Sequence, residues 1–133
     1  MSDELPMREH MVQHSEDPYG IAKHSVELDL KAAKHMFDLD HVIFRPHNVY
    51  GPRQNIADKF RNAIGIFINQ IMRGEKMSMF GEGLQSRAFS YIDDVAPYIA
   101  ISPFVPQARN QDFFVGRDEE TTIYDLTVAV AKV

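Results

Sequence analysis

The chain has 133 residues, 44% of them apolar and 25% charged, the size and make-up of a globular protein. A net charge of −5 with scattered basic residues argues against a nucleic-acid surface, and the lack of cysteine removes disulfides and thiolate metal sites. No apolar run approaches the ~18–20 residues of a membrane span, and the acidic, polar start does not read as a signal peptide.

Residues 1–16 read as polar and irregular, with Pro6 and no sustained period. His10 and His14 are spaced i, i+4, but Glu9 precedes the pair, so the zinc-binding H-E-x-x-H arrangement is absent and no metal site is expected. Asp17-Pro18 reads as an N-cap followed by proline at the first helical position. Ile21, Ala22, Leu28, Ala32 and Met36 carry the helix to about Phe37. Residues 41–45 are a short apolar run ending at Pro46, expected to form a buried parallel strand. Pro46, Gly51, Pro52 and Asn55 make 46–59 a long loop. A second helix is expected over Asn62–Arg73, stopping at Gly74. Met77–Phe80 and Ala88–Ile92 are expected as strands around a Gly81-Glu82-Gly83 turn, and Asp93 as the cap of a helix towards Ile101. Residues 102–110 read as a loop, Asp112–Val115 as a strand, and Thr122 as the start of a helix still running at Val133. Helices alternating with short strands make an α/β pattern.

Within the first helix, Tyr19 and Lys23 stand four residues apart and so share a face. An ammonium held about 6 Å from a phenol favours its phenolate by roughly 2–3 kcal/mol at an effective dielectric near 20. That pairing turns a weak base into a proton-transfer group. No G-x-G-x-x-G turn occurs in the chain, so a backbone cradle for a dinucleotide pyrophosphate is missing.

Four ordered motifs carry a resemblance. Pro18-Tyr19-Gly20-x-x-Lys23, with Glu27 following, resembles the active-site helix of the extended short-chain dehydrogenases/reductases. Arg45-Pro46-His47-Asn48-Val49-Tyr50-Gly51-Pro52-Arg53-Gln54 is similar to the loop after the strand beside the nicotinamide. The stretch from Phe80 to Val95 resembles the family's sugar-nucleotide loop, and Gly116 through Thr122 its G-x-x-x-x-x-T segment. Within that family, the chain most resembles the UDP-glucose 4-epimerases and their close relatives.

The resemblance implies NAD as cofactor and a UDP-sugar as substrate. Tyr19 and Lys23 are the implied catalytic pair, and both also contact the cofactor, with Pro46 and His47 against its nicotinamide end. Asn48 and Asn62 are implied to bond the diphosphate or sugar, Phe80 to contact the uracil, and Arg87 to pair with a phosphate through its two-pronged guanidinium. Asn48 in a Pro/Gly loop also reads as a residue that holds a turn. The family's catalytic Ser or Thr, its S-S-x-x-V-Y-G stretch and its Gly-rich turn have no counterpart here. The expected fold is therefore a partial Rossmann-like α/β fold lacking the N-terminal dinucleotide-binding half. Residues 1–50 would close the NAD-binding domain, and 51–133 would form most of the substrate domain. Alternative enzymes within the family are a 4,6-dehydratase or uronate decarboxylase; the alternative of another functional class is a truncated, non-catalytic remnant that binds a nucleotide weakly or acts as an assembly partner. The chain alone is expected to be inactive, the whole protein to be a cytoplasmic homodimer, and neither nucleic acid nor membrane is an expected partner.

Overall fold

A computed structural model describes residues 7–58, 60 and 62–132. The expectations for Pro6 and Val133 lie outside the described residues. The chain folds as two compact units: the described residues of Met1–Arg45 with Ile99–Phe114, and those of Pro46–Tyr98 with Val115–Val133.

In the first unit, α1 spans Pro18–Phe37. Its start is fixed chemically: the Asp17 carboxylate accepts the Gly20 N–H at 3.0 Å, and Pro18 needs no hydrogen-bond partner at the first helical position. Asp38 closes the helix in the left-handed region, φ 55°, donating its N–H to the Lys34 carbonyl at 3.0 Å. Strand β1, Val42–Pro46, pairs with β4, Gln111–Val115, in a two-stranded sheet. Only Ile43 of β1 is buried, so the strand is half-buried rather than enclosed on both faces. Its one strand neighbour among the described residues is β4, which leaves an open edge. Phe44 stacks on Phe113 across the pair, centroids 5.8 Å apart. The expected loop 102–110 contains two 3₁₀ turns, Ser102–Phe104 and Pro106–Ala108.

In the second unit, a three-stranded sheet is built from β2 (Asn48–Tyr50), β3 (Ser86–Tyr91) and β5 (Glu120–Thr122), in the order β2-β3-β5. β2 runs parallel to β3 with Asn48 opposite Phe89, and β3 antiparallel to β5 with Arg87 opposite Thr121. Helices α2 (Ala63–Met72) and α4 (Ile123–Ala131) supply the core: Ile64, Phe67 and Leu126, packed by Tyr50, Ile66, Met77 and Phe89. Thr122 caps α4 by accepting the Asp125 N–H, and Asn62 caps α2.

Four sequence expectations are corrected here. The 46–59 loop contains β2, because three residues suffice for a strand once β3 supplies its ladder. Met77–Phe80 is irregular: the Gln70 carboxamide accepts the Ser78 N–H and donates to the Ser78 hydroxyl, both at 3.0 Å, so α2 holds that backbone instead of a strand. Asp93 does not cap a helix; it lies inside a 3₁₀ turn, Ile92–Asp94, ahead of α3 (Ala96–Ile101). α4 closes at Ala131, with Lys132 in the cap position.

Candidate functional site

The capped, proline-started first turns of α1 hold Tyr19 and Lys23 on one helical face. The Lys23 Nζ stands 5.5 Å from the centroid of the Tyr19 ring. Tyr19 is 73% exposed, and among the described residues Lys23 meets no carboxylate at ion-pair distance. Among the described residues, the phenol and the ammonium are thus presented together with no hydrogen bond spent on another side chain.

One turn further along the same stripe, Glu27 is engaged completely. Arg45 of β1 grips its carboxylate with two prongs, Nε to Oε1 at 3.0 Å and Nη2 to Oε2 at 2.7 Å. Gln13 adds a third donor at 2.6 Å. The same guanidinium donates to Asp112 of β4 at 2.9 Å and to the Glu9 carbonyl at 3.2 Å, and Lys31 of α1 also reaches Asp112 at 2.9 Å. Glu9 in turn accepts the Phe114 N–H at 3.0 Å. The Arg45 hydrogen bonds hold the Glu27 carboxyl below the usual carboxylate range, against a smaller opposing effect of burial, and Glu27 in return raises Arg45. A cavity of about 380 Å³ lies beside this frame, lined by Glu9, Gln13, His24, Glu27 and Arg45 among others.

The second unit carries the other residues singled out in the sequence. Pro46 is the exposed last residue of β1. His47 Nδ1 lies 2.6 Å from the Arg117 carbonyl, which can only accept, so Nδ1 carries the proton. Asn48 donates its side-chain amide to the Ala88 carbonyl at 3.0 Å, and Asn62 donates to the Val49 carbonyl at 2.7 Å while accepting the Ile64 N–H at 3.1 Å. Both asparagines therefore anchor β2. Arg87 is exposed on β3, its Nη1 on the carbonyl of Ser86 at 2.8 Å. Phe80 is 84% exposed, ahead of the Gly81–Gly83 turn, whose two glycines have φ of 63° and 70°. No hydrogen bond or ring contact among the described residues joins Asn62, Phe80 and Arg87 to one another.

Sequence reasoning missed the Arg45 frame. Part of it was visible: Tyr19, Lys23, Glu27 and Lys31 recur at i, i+4 spacing, and Arg45 opens the Arg45–Gln54 motif. Asp112 gave no signal, because only the pairing of β1 with β4 brings it to Arg45.

The sequence profile of the NAD dependent epimerase/dehydratase family matches residues 2–108. The UDP-glucose 4-epimerase of Mycolicibacterium smegmatis is 32% identical over 130 residues, 95% of this chain and 40% of its own length. Among solved structures, the UDP-N-acetylglucosamine 4-epimerase from Methanobrevibacter ruminantium, in complex with UDP-N-acetylmuramic acid, matches with a TM-score of 0.91 and 30% identity. That match covers 98% of this chain and 42% of the other. The Thermus thermophilus UDP-glucose 4-epimerase complex with NAD matches with a TM-score of 0.85 and 25% identity, over 99% of this chain and 43% of that one. The chain thus has a mixed α/β fold that matches Rossmann-like structures of the extended short-chain type, over about two fifths of their length.

Proposed function

Because the chain belongs to the NAD dependent epimerase/dehydratase family, we propose that it carries the acid–base pair and part of the substrate surface of an enzyme interconverting C4 epimers of a UDP-sugar. UDP-glucose and UDP-galactose are the pair in view. The observation that carries this reading is the Tyr19–Lys23 pair, exposed together on one face of α1 with the ammonium 5.5 Å from the ring.

Tyr19 and Lys23 suit the ribose of NAD, while the chain holds no Gly-rich turn for its pyrophosphate. A phenol beside an ammonium that meets no carboxylate among the described residues is the donor set that a ribose diol accepts. Pro46 and His47 are proposed contacts to the nicotinamide end. NAD, when bound, supplies reversible hydride acceptance at C4 of the sugar. Tyr19 holds the proton of that chemistry: its oxygen takes the C4 hydroxyl proton as the C4–H bond is broken and a ketone forms. The same Tyr19 oxygen would hand that proton back to the C4 oxygen as the alcohol re-forms. Lys23 is the proposed donor to the ribose hydroxyls of the cofactor. Asn48, Asn62, Phe80 and Arg87 are the proposed contacts to sugar, diphosphate and base. The exposed apolar residues of α1, among them Ile21, Val26, Leu28 and Met36, suit a helical interface with a second copy of the enzyme.

The chain spans 40% of its Mycolicibacterium relative, so the test uses a graft in which residues 7–132 replace that enzyme's matching segment. UDP-galactose turnover by the graft is expected to fall about 10²–10⁴-fold in Tyr19→Phe. Lys23→Met is expected to lose turnover and NAD affinity together. A Tyr19→Phe graft within threefold of its parent would refute the assignment.

A further inference from the structure

α1 is 20 residues long, and none of its side chains is buried. A helix packed through an apolar seam has its rotational setting fixed by interdigitated side chains. The inward apolar contact of α1 is slight, with Leu30 and Ala33 only half-buried, while Ile21, Val26, Leu28 and Met36 are exposed. Polar contacts fasten it inside its unit, and one of them has directional geometry: the two-pronged grip of Arg45 on Glu27, at 3.0 and 2.7 Å. Lys31 on Asp112 is a single-point contact that tolerates rotation. The fork is planar on both sides, so it is made in one relative orientation of helix and strand.

Glu27 lies four residues after Lys23 and eight after Tyr19. Each four-residue step advances about 40° round the helix, so the three side chains turn as one body. Rotating α1 by about 10° moves a group roughly 6 Å from its axis by about 1 Å. A displacement of that size is enough to cost on the order of 10² in rate.

Resting on the function proposed above, we propose that the Glu27–Arg45 fork is the positioning device of the Tyr19–Lys23 pair, setting the rotation of α1 against β1 and β4. Charge alone does not suffice: a lysine at position 45 would neutralise Glu27 through one ammonium and leave the angle unset. Arg45 and Glu27 touch no reacting atom in this scheme; they act through the helix.

The chain has no cysteine, so two nitroxide labels can be placed cleanly, at Ala22→Cys on α1 and Gln107→Cys in the 3₁₀ turn of the same unit, both exposed. Pulsed electron paramagnetic resonance on the 133-residue chain then reads their separation. The expected result is one narrow distribution in the parent, shifted by about 2 Å or more, or clearly broadened, in Glu27→Gln and in Arg45→Lys. Helix content by far-ultraviolet circular dichroism should stay at the parent level. Asp112→Asn, which spares the fork, should lower Tm and leave the distribution unchanged. If all three variants lower Tm and none moves the distance, the fork is a stabiliser only and the proposal is overturned. An Asp112→Asn shift as large as that of Arg45→Lys overturns it equally. The distance is blind to the chemistry of Tyr19. A Tyr19→Phe graft that keeps its turnover would therefore remove the function this role rests on while the distances stood, so the two failures are told apart.

Discussion

Glu27→Gln puts a number on the Arg45 frame. The side chains of Arg45, Glu27 and Asp112 are 15%, 13% and 16% exposed, so their hydrogen bonds are only partly screened by water. Glutamine keeps the shape and one acceptor oxygen, but turns an N–H group towards Arg45 or Gln13, both of which are donors. Breaking a buried ion pair costs about 3–5 kcal/mol when the surviving charge is left alone. Arg45 is not left alone, since Asp112 and the Glu9 carbonyl remain. The loss is therefore nearer that of one or two charge-assisted hydrogen bonds, about 2–3 kcal/mol at pH 7. The pH dependence follows from the depressed Glu27 carboxyl. A carboxyl whose folded value lies below its unfolded value, about 4.3, stabilises the fold above that pH and loses its contribution as pH falls through the folded value. The gap between parent and variant should accordingly be constant from pH 7 to about pH 5 and shrink below about pH 4.5. Glu9 and Asp40 are held low as well, by the Phe114 N–H and by Lys34, but they titrate in both proteins and cancel in the difference. Urea unfolding at pH 7, 5, 4 and 3 measures the gap, with equal m-values as the check on comparability. A gap under about 0.5 kcal/mol at pH 7, or one that does not narrow with acid, would refute the account.

Gly51→Ala should destabilise by about 1–3 kcal/mol, because the added Cβ would stand 2.5 Å from Ile92 Cγ2; thermal melts of the single variant and of Gly51→Ala with Ile92→Ala should show part of the loss restored. Asn62→Ala should cost about 1–2 kcal/mol without any ligand present, since it removes both the α2 cap and the tie to β2, and denaturant unfolding reads it directly. In the grafted enzyme, Arg87→Ala should weaken binding of UDP by about 1.5–3 kcal/mol, read by calorimetry, and unchanged affinity would give Arg87 another role.

The elements legible in the sequence were those specified locally. Asp17, Pro18 and Asp38 set the ends of α1 within a turn, and Asn62 and Thr122 did the same for the starts of α2 and α4. The strands β2 and β5 are three residues each and have no period long enough to read; β3 creates both by pairing. Met77–Phe80 has the apolar content of a strand, but the Gln70 side chain satisfies the backbone of Ser78 first. The same division runs through the candidate site. Tyr19 and Lys23 were readable because i, i+4 spacing is a local property of a helix. The frame behind them joins residues 27, 45 and 112, and its geometry exists only once β1 and β4 have paired.

Asn48 and Asn62 show why a structural role and a proposed ligand role need not compete. A carboxamide has two N–H donors and an oxygen with two lone pairs. Asn48 donates to the Ala88 carbonyl, and Asn62 donates to the Val49 carbonyl and accepts from Ile64. Each nitrogen has a second N–H beyond the one given to the backbone. The first bond fixes the plane of the amide, and the second donor then points in a direction set by β2 and not by solvent. A ligand oxygen meeting such a donor loses less to side-chain ordering than one meeting a freely rotating amide, since the rotamer is already selected. The anchoring that makes Asn62 costly to remove from the fold is thus the feature that would make it an effective donor to a diphosphate. Destabilisation by Asn62→Ala alone therefore does not count against substrate contact. The informative comparison is Asn62→Asp, which keeps the acceptor for Ile64, removes both N–H donors and adds a negative charge that a diphosphate would repel.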